Sequence, residues 1–191
     1  MSEELLENRN FDKRFKLHKA TAKEELRPSL DLIKFADGYA YASDGMLAVK
    51  AKLKTISNFT DAELANLDGK SIDSDSFRKI LSFEHATIEE NCITATNNQG
   101  DKTSFYFNAQ EELKIKIENV FTNLLPHYRE DIKVFSFTVS EMKKLPEILG
   151  TKNLVFKVYT NTRFLVTGDM FHDVDIECLF MGRHIEEDEE K

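Results

Sequence analysis

The run Ile72-Asp73-Ser74-Asp75-Ser76-Phe77-Arg78-Lys79-Ile80-Leu81 decides the fold, because Phe137-Thr138-Val139-Ser140-Glu141-Met142-Lys143-Lys144-Leu145 repeats its pattern. Laid without a gap, Phe77 falls on Met142, Arg78-Lys79 on Lys143-Lys144, Ile80 on Leu145, and the N-cap candidate Asp75 on Ser140. Each run reads as a short basic helix entered from a strand and followed by three more strands, at 86–89, 92–96 and 103–107 in the first copy and at 154–159, 163–167 and 174–180 in the second. An internal repeat constrains architecture before any single motif does. Apolar spacing within the helices predicts that Phe77, Ile80 and Leu81 are buried in one copy and Met142, Leu145 and Leu149 in the other.

Working outward, the segment from Leu30 to Val49 carries the pairs Asp37-Gly38 and Asp44-Gly45 between alternating residues. Asp-Gly is a strong hairpin signal because both central positions of a type I′ turn need positive φ, so a three-stranded meander is expected. Residues 15–20 read as a further strand, and Pro28 blocks a helix from running into the meander. In Phe59-Thr60-Asp61-Ala62-Glu63-Leu64, Thr60 and Glu63 fit a capping box, Phe59 and Leu64 fit a hydrophobic staple, and Gly69 is a C-terminal stop. Meanders alternating with single helices predict an α+β fold of repeated β-α-β-β-β modules, an antiparallel sheet with the helices on one face. The expected organisation is a polar leader at 1–11, a two-module domain at 12–126, a third module at 127–183 packed on it, and an acidic disordered tail at 184–191.

Composition narrows the class. The 191 residues are 41% hydrophobic and 31% charged, ordinary for a globular chain. No run of about 18 uncharged apolar residues is present, and Met1-Ser2-Glu3-Glu4-Leu5 is no secretion leader, so no membrane partner and a cytoplasmic location are expected. Cys92 and Cys178 read as two buried thiols. The five histidines lack the short spacings of a zinc site, and His172-Asp173-x-Asp175 reads as a solvated turn. A nucleophile with its base, a purposeful carboxylate pair and a Gly-rich phosphate loop are all missing. The expectation is a chain that is not an enzyme, with no catalytic residues, no metal and no cofactor.

Adjacent cations on the two helices make a polyanion the first partner to consider, although the net charge is −8. Two readings fit Arg78, Lys79, Lys143 and Lys144. They are either phosphate contacts or ordinary solubilising residues; Glu141 to Lys144 and Lys143 to Glu147 are helix ion-pair spacings. Tyr39, Tyr41, Phe105, Tyr106 and Phe107 read as core more readily than as base-stacking platforms.

Three stretches give the chain a family likeness. Arg27-Pro28-Ser29-Leu30 with the segment Phe35 to Gly45, Val120-Phe121-Thr122-Asn123-Leu124-Leu125-Pro126, and Ser140 to Gly150 with Ile176 to Arg183 together resemble the bacterial DNA polymerase sliding clamp, the beta-clamp family. The chain departs from that pattern in having Met46-Leu47 after the second Asp-Gly, a short segment between Phe15 and Pro28, and three meanders in place of six. The resemblance implies a short, divergent relative whose helices line a ring. Arg78, Lys79, Lys143 and Lys144 would then contact duplex DNA without sequence preference, and the chain would serve as a processivity factor for a polymerase in DNA replication. Ring formation would need a homo-oligomer, four copies supplying twelve modules. A protein-interaction module on the same fold without DNA binding is the alternative, and an unrecognised enzyme is the third class.

Overall fold

The computed structural model describes residues 9–23, 28–108, 120–121, 135–159, 163–168, 176–181 and 183–184. The acidic tail beyond His184, most of the leader, Arg27, most of the Val120 to Pro126 stretch and the His172 cluster lie outside them. The architecture is mixed α and β, and every strand pairing is antiparallel.

The meander forms as β1 (Leu32–Ala36), β2 (Tyr39–Ser43) and β3 (Leu47–Lys52). Its first turn is of the expected kind: Asp37 has φ 52° and Gly38 φ 78°, joining the paired residues Ala36 and Tyr39. The second differs. Only Gly45 takes positive φ, and the Asp44 carboxylate accepts the N–H groups of Met46 and Leu47, so a side chain substitutes for the turn carbonyl. After β3 come α1 (Leu53–Ile56) and α2 (Asp61–Ala65), the latter with both hydrogen bonds of the Thr60–Glu63 capping box.

Next, β4 (Ser71–Asp73), α3 (Ser74–Ile80), β5 (His85–Ile88), β6 (Cys92–Thr96) and β7 (Lys102–Tyr106) follow in order. After the residues not described come β8 (Phe135–Ser136), α4 (Val139–Ile148), β9 (Leu154–Tyr159), β10 (Arg163–Gly168), β11 (Ile176–Met181) and β12 (Arg183–His184). Among the described residues the order strand, helix, three strands occurs twice, but the two sets pair differently and so are not copies of one module. One sheet runs β4-β1-β2-β3-β11-β10-β9, while β5-β6-β7 and β12-β8 form separate sheets. Among the described residues the single sheet expected from the sequence is therefore three, because β5 to β7 pair there only among themselves while β9 to β11 extend the meander at β3.

Both helix N-caps sit two residues before the positions read from the sequence. Asp73 accepts from Ser76 N at 2.8 Å, and Thr138 occupies the matching place without a side-chain cap bond. The extended backbone at Asp73 and Thr138 makes these the last non-helical residues, so Asp75 and Ser140 fall inside the first turns. Pro146 does not end α4, which runs two residues further. The segment read as a strand at 15–20 is a 3-10 turn, Leu17–Ala20, whose three-residue period puts Leu17 and Ala20 on the same buried side.

Phe11 is the hub of the core, with Phe35, Phe59 and Phe77 rings at centroid distances of 6.1, 5.1 and 4.9 Å. Burying such rings contributes on the order of 2 to 3 kcal/mol each, which fixes α3 against the sheet. Ile80, Leu145, Leu149 and Leu81 join the same buried cluster, while Met142 packs on it only partly buried. Asn10, itself buried, donates to the carbonyls of Ile80 and Phe83 and so closes the C-terminal end of α3.

The central sheet is apolar on both sides. Ala40 and Ala42 face the helices, and Tyr41 faces away with Ala48, Leu179 and Phe121. Val120 and Phe121 are helical, so helical backbone lies against the second face as well, contrary to the one-faced arrangement expected. The cause is the large apolar side chains that β2 and β11 turn outward, which need cover.

Candidate polyanion-binding face

The Leu17–Ala20 turn lies against both α3 and α4. It brings together three basic elements. Residues 16–23 hold Lys16, Lys19 and Lys23 with no carboxylate; α3 holds Arg78 and Lys79 against Asp75; α4 holds Lys143 and Lys144 against Glu141 and Glu147. Seven cations therefore stand beside three carboxylates on these elements and a fourth, Asp44, that reaches Lys144 from the β2–β3 turn, in a chain whose net charge is −8.

The four residues singled out from the sequence have different fates. Arg78 is exposed near the end of α3, 3.6 Å from Asp75, a carboxylate that also holds Lys23. Lys23 and Arg78 hold the Asp75 carboxyl below its usual range, the Lys23 hydrogen bond contributing most. Lys79 and Lys143 are exposed and, among the described residues, form no ion pair. Lys144 is spent internally. Its ammonium lies 2.8 Å from Asp44 in the β2–β3 turn and 2.9 Å from Glu141. Burial opposes charge on both partners, yet the pairing prevails: the Lys144 pKa is raised and the Asp44 pKa is lowered, the latter helped by the N–H groups of Leu47 and Met46.

The Glu147 pairing expected with Lys143 is not the one formed. Glu147 accepts from Lys16 at 2.7 Å and from Lys19, which hold its carboxyl down at about 2. A carboxylate in the last turn of a helix opposes the helix dipole, and two ammonium groups arriving from the Leu17–Ala20 turn offset that. Sequence reading missed Lys16, Lys19 and Lys23 as members of the face. The signal was present as an acid-free run with cations at three- and four-residue spacing.

Elsewhere, Cys92 and Cys178 are buried free thiols, and burial pushes the Cys178 thiol far above its ordinary value, which leaves it inert as a nucleophile. Tyr41 and Phe105 are core as read, but Tyr106 is 71% exposed, because β7 turns only Phe105 inward. Among the described residues no group of three or more His, Cys, Asp or Glu is placed to hold a metal, and no helix is long and apolar enough to cross a membrane.

No family model matches the chain, and no curated protein does. Among solved structures, the DNA polymerase III beta chain of Streptococcus pneumoniae TIGR4 is similar at 13% identity and a TM-score of 0.37, over 90% of this chain and 48% of that one. The chain thus spans about half the length of that protein. A likeness so loose carries no weight in assigning a role, and the functional reading rests on the face itself.

Proposed function

We propose that the chain is a non-catalytic scaffold that holds duplex DNA by its phosphates, through the face formed by α3, α4 and the Leu17–Ala20 turn. The supporting observation is the gathering of seven cations, five on these elements and Lys16 and Lys23 flanking the turn, beside the carboxylates of Asp75, Glu141, Glu147 and Asp44 in an acidic protein. Arg78, Lys79 and Lys143 are the contacts with most freedom to reach a phosphate, and Lys144 contributes to the field from its internal pair. Contacts of this kind are independent of sequence and sensitive to salt, as a protein that travels along DNA requires. In its sliding-clamp form the reading extends to a cytoplasmic processivity factor for replication that closes a ring by self-association and carries a polymerase. The recurring order strand, helix, three strands supports that form, although the two sets pair differently.

The test is binding of the wild type and of a Lys79→Glu/Lys143→Glu variant to duplex DNA of several sequences across a salt series, with mass measured in solution. Losing two phosphate contacts should lower the slope of log K against log salt by about 2, equally for all sequences. Unchanged slopes, or no salt-sensitive binding by the wild type, would refute the reading.

One observation favours the interaction-module alternative. Asp44, Glu141, Glu147 and Asp75 already engage Lys144, Lys16, Lys19, Lys23 and Arg78. A monomer that binds no duplex at low salt is the signature of that alternative.

A further inference from the structure

Three of the sheet edges in this fold are blunted. At β4, only three residues long, Asn108 donates its N–H to the Ser71 carbonyl at 2.9 Å. Along β5 the Arg9 carbonyl accepts the Ala86 N–H, and β7 presents Lys102, Thr103 and Ser104 to solvent. The other edge of the seven-stranded sheet, β9, is of a different kind: six residues, Leu154–Tyr159, with a single charge at Lys157 and no proline. Among the described residues no backbone group bonds to its outer side. Val155 is 39% exposed and Phe156 37%, on opposite faces of the sheet, because successive strand residues alternate. Phe156 stands on the core side, opposite the fully buried Val166 and 6.1 Å from the Phe137 ring, so its exposure marks an open margin of the core itself. An edge this long and apolar is a template for another strand.

The strand is also complementary to itself. Two copies related by a two-fold axis normal to the sheet pair antiparallel, and residues opposite one another then share a face. Centred on Lys157, the pairing would oppose two ammonium groups. Centred on Phe156, it sets Phe156 against its mate, Val155 against Lys157 and Leu154 against residue 158, so all five residues from 154 to 158 enter the ladder without a like-charge pair. We infer that a second copy of this chain docks on β9, antiparallel and centred on Phe156, which makes one sheet continuous through both molecules. The inference goes beyond the DNA-binding reading and does not rest on it. An interface of this kind is isologous and closes at two copies, so a ring would need a further contact besides it. The two Lys157 side chains share one face near the axis, and each chain carries a net charge of −8, so salt screens repulsion and strengthens the dimer while it weakens contacts to DNA.

Sedimentation equilibrium of the full chain without DNA, over a concentration series at low and high salt, should show a monomer–dimer equilibrium that tightens with salt. Phe156→Lys places two ammonium groups on the axis and should abolish the dimer, with a melting curve to show that the fold survives. Should it fail to fold, Val155 on the opposite face gives a second route. Val155→Glu sets a carboxylate opposite Lys157 and Val155→Lys an ammonium, twice per dimer, so the first should dimerise about tenfold more tightly than the second. Adding Lys157→Glu to Val155→Lys should restore the dimer, whereas a merely structural role for Val155 would move both single variants the same way. Equal affinities in Val155→Glu and Val155→Lys, a folded Phe156→Lys that dimerises like wild type, or a wild type that stays monomeric at every concentration would overturn the inference. Loss of salt-sensitive DNA binding while the dimer persists would overturn only the DNA-binding reading.

Discussion

Replacing Lys144 by Met separates a structural cation from a binding one, with Lys143→Met as its neighbouring control. Lys144 bridges the β2–β3 turn to α4 through Asp44, whose side chain is only 8% exposed, against 29% for Lys144 itself. Methionine keeps most of the apolar stem and removes the ammonium. Asp44 then retains the N–H groups of Met46 and Leu47, and Glu141 loses the partner at 2.9 Å. Losing one partner of a fully buried pair costs about 3 to 5 kcal/mol. Because Lys144 is partly solvated and Asp44 keeps two donors, the expected loss is about 2 kcal/mol, close to that of one charge-assisted hydrogen bond. For a chain of this size that is roughly 4 to 8 °C in melting temperature. Lys143→Met removes no pair formed among the described residues and should change stability by less than about 0.5 kcal/mol. The difference should also depend on pH. Asp44 has a depressed folded-state pKa, so its contribution is present above the unfolded carboxylate value near 4 and is lost as pH falls through the folded value. Urea unfolding of both variants at pH 7 and at pH 3 is the assay. Equal stabilities of the two variants at pH 7 would refute the tether.

Two further outcomes follow from the packing and the ion pairs. Ile80→Ala and Leu145→Ala, both fully buried at matching positions of the two helices, should each cost about 2 to 5 kcal/mol in urea unfolding, and a loss below 1 kcal/mol at either would count against its burial. Glu147→Gln should lose stability relative to wild type above pH 4.5, and the gap should close as pH falls toward 2, where the wild-type carboxylate takes up its proton; a gap that persists at pH 2 would mean that the Lys16 and Lys19 pairing is not its source.

What could be read from the chain followed the range of the interaction involved. The Thr60–Glu63 box and the Asp37-Gly38 turn are closed within a few residues, so their residue types determine their geometry. The helices at α3 and α4 were legible from apolar spacing, because Phe77, Ile80 and Leu145 must face a core whatever surrounds them. The 3-10 turn at Leu17–Ala20 was not, since apolar residues at 15, 17 and 20 fit two periods at once and only packing between α3 and α4 selects the tighter one. The candidate face failed to be legible for a related reason. Its ion pairs join Lys16 and Lys19 to Glu147, and Lys144 to Asp44, across more than a hundred residues or close to it, and no local spacing encodes them. Lys143 and Glu147 had the right spacing and still did not pair, because two ammonium groups from another element reach the carboxylate instead.

That competition bears on how the face would work. In sequence, Lys79 lies opposite Lys144 and Arg78 opposite Lys143, so the helices look interchangeable as donors of charge. In the fold they are not, because Asp44 reaches Lys144 on α4 while Lys79 on α3 has no such partner among the described residues. The two helices therefore present different cations to solvent: Arg78 and Lys79 from one, Lys143 from the other. A rigid polyanion lying across both would gain its contacts unevenly, two from α3 for one from α4. Glu141 beside the α4 cations is matched by Asp75 beside Arg78 on α3, so the carboxylates of the two helices leave that imbalance in place. Restoring symmetry by freeing Lys144 would remove the pair that holds the β2–β3 turn, so the fold itself limits how alike the two helices can become.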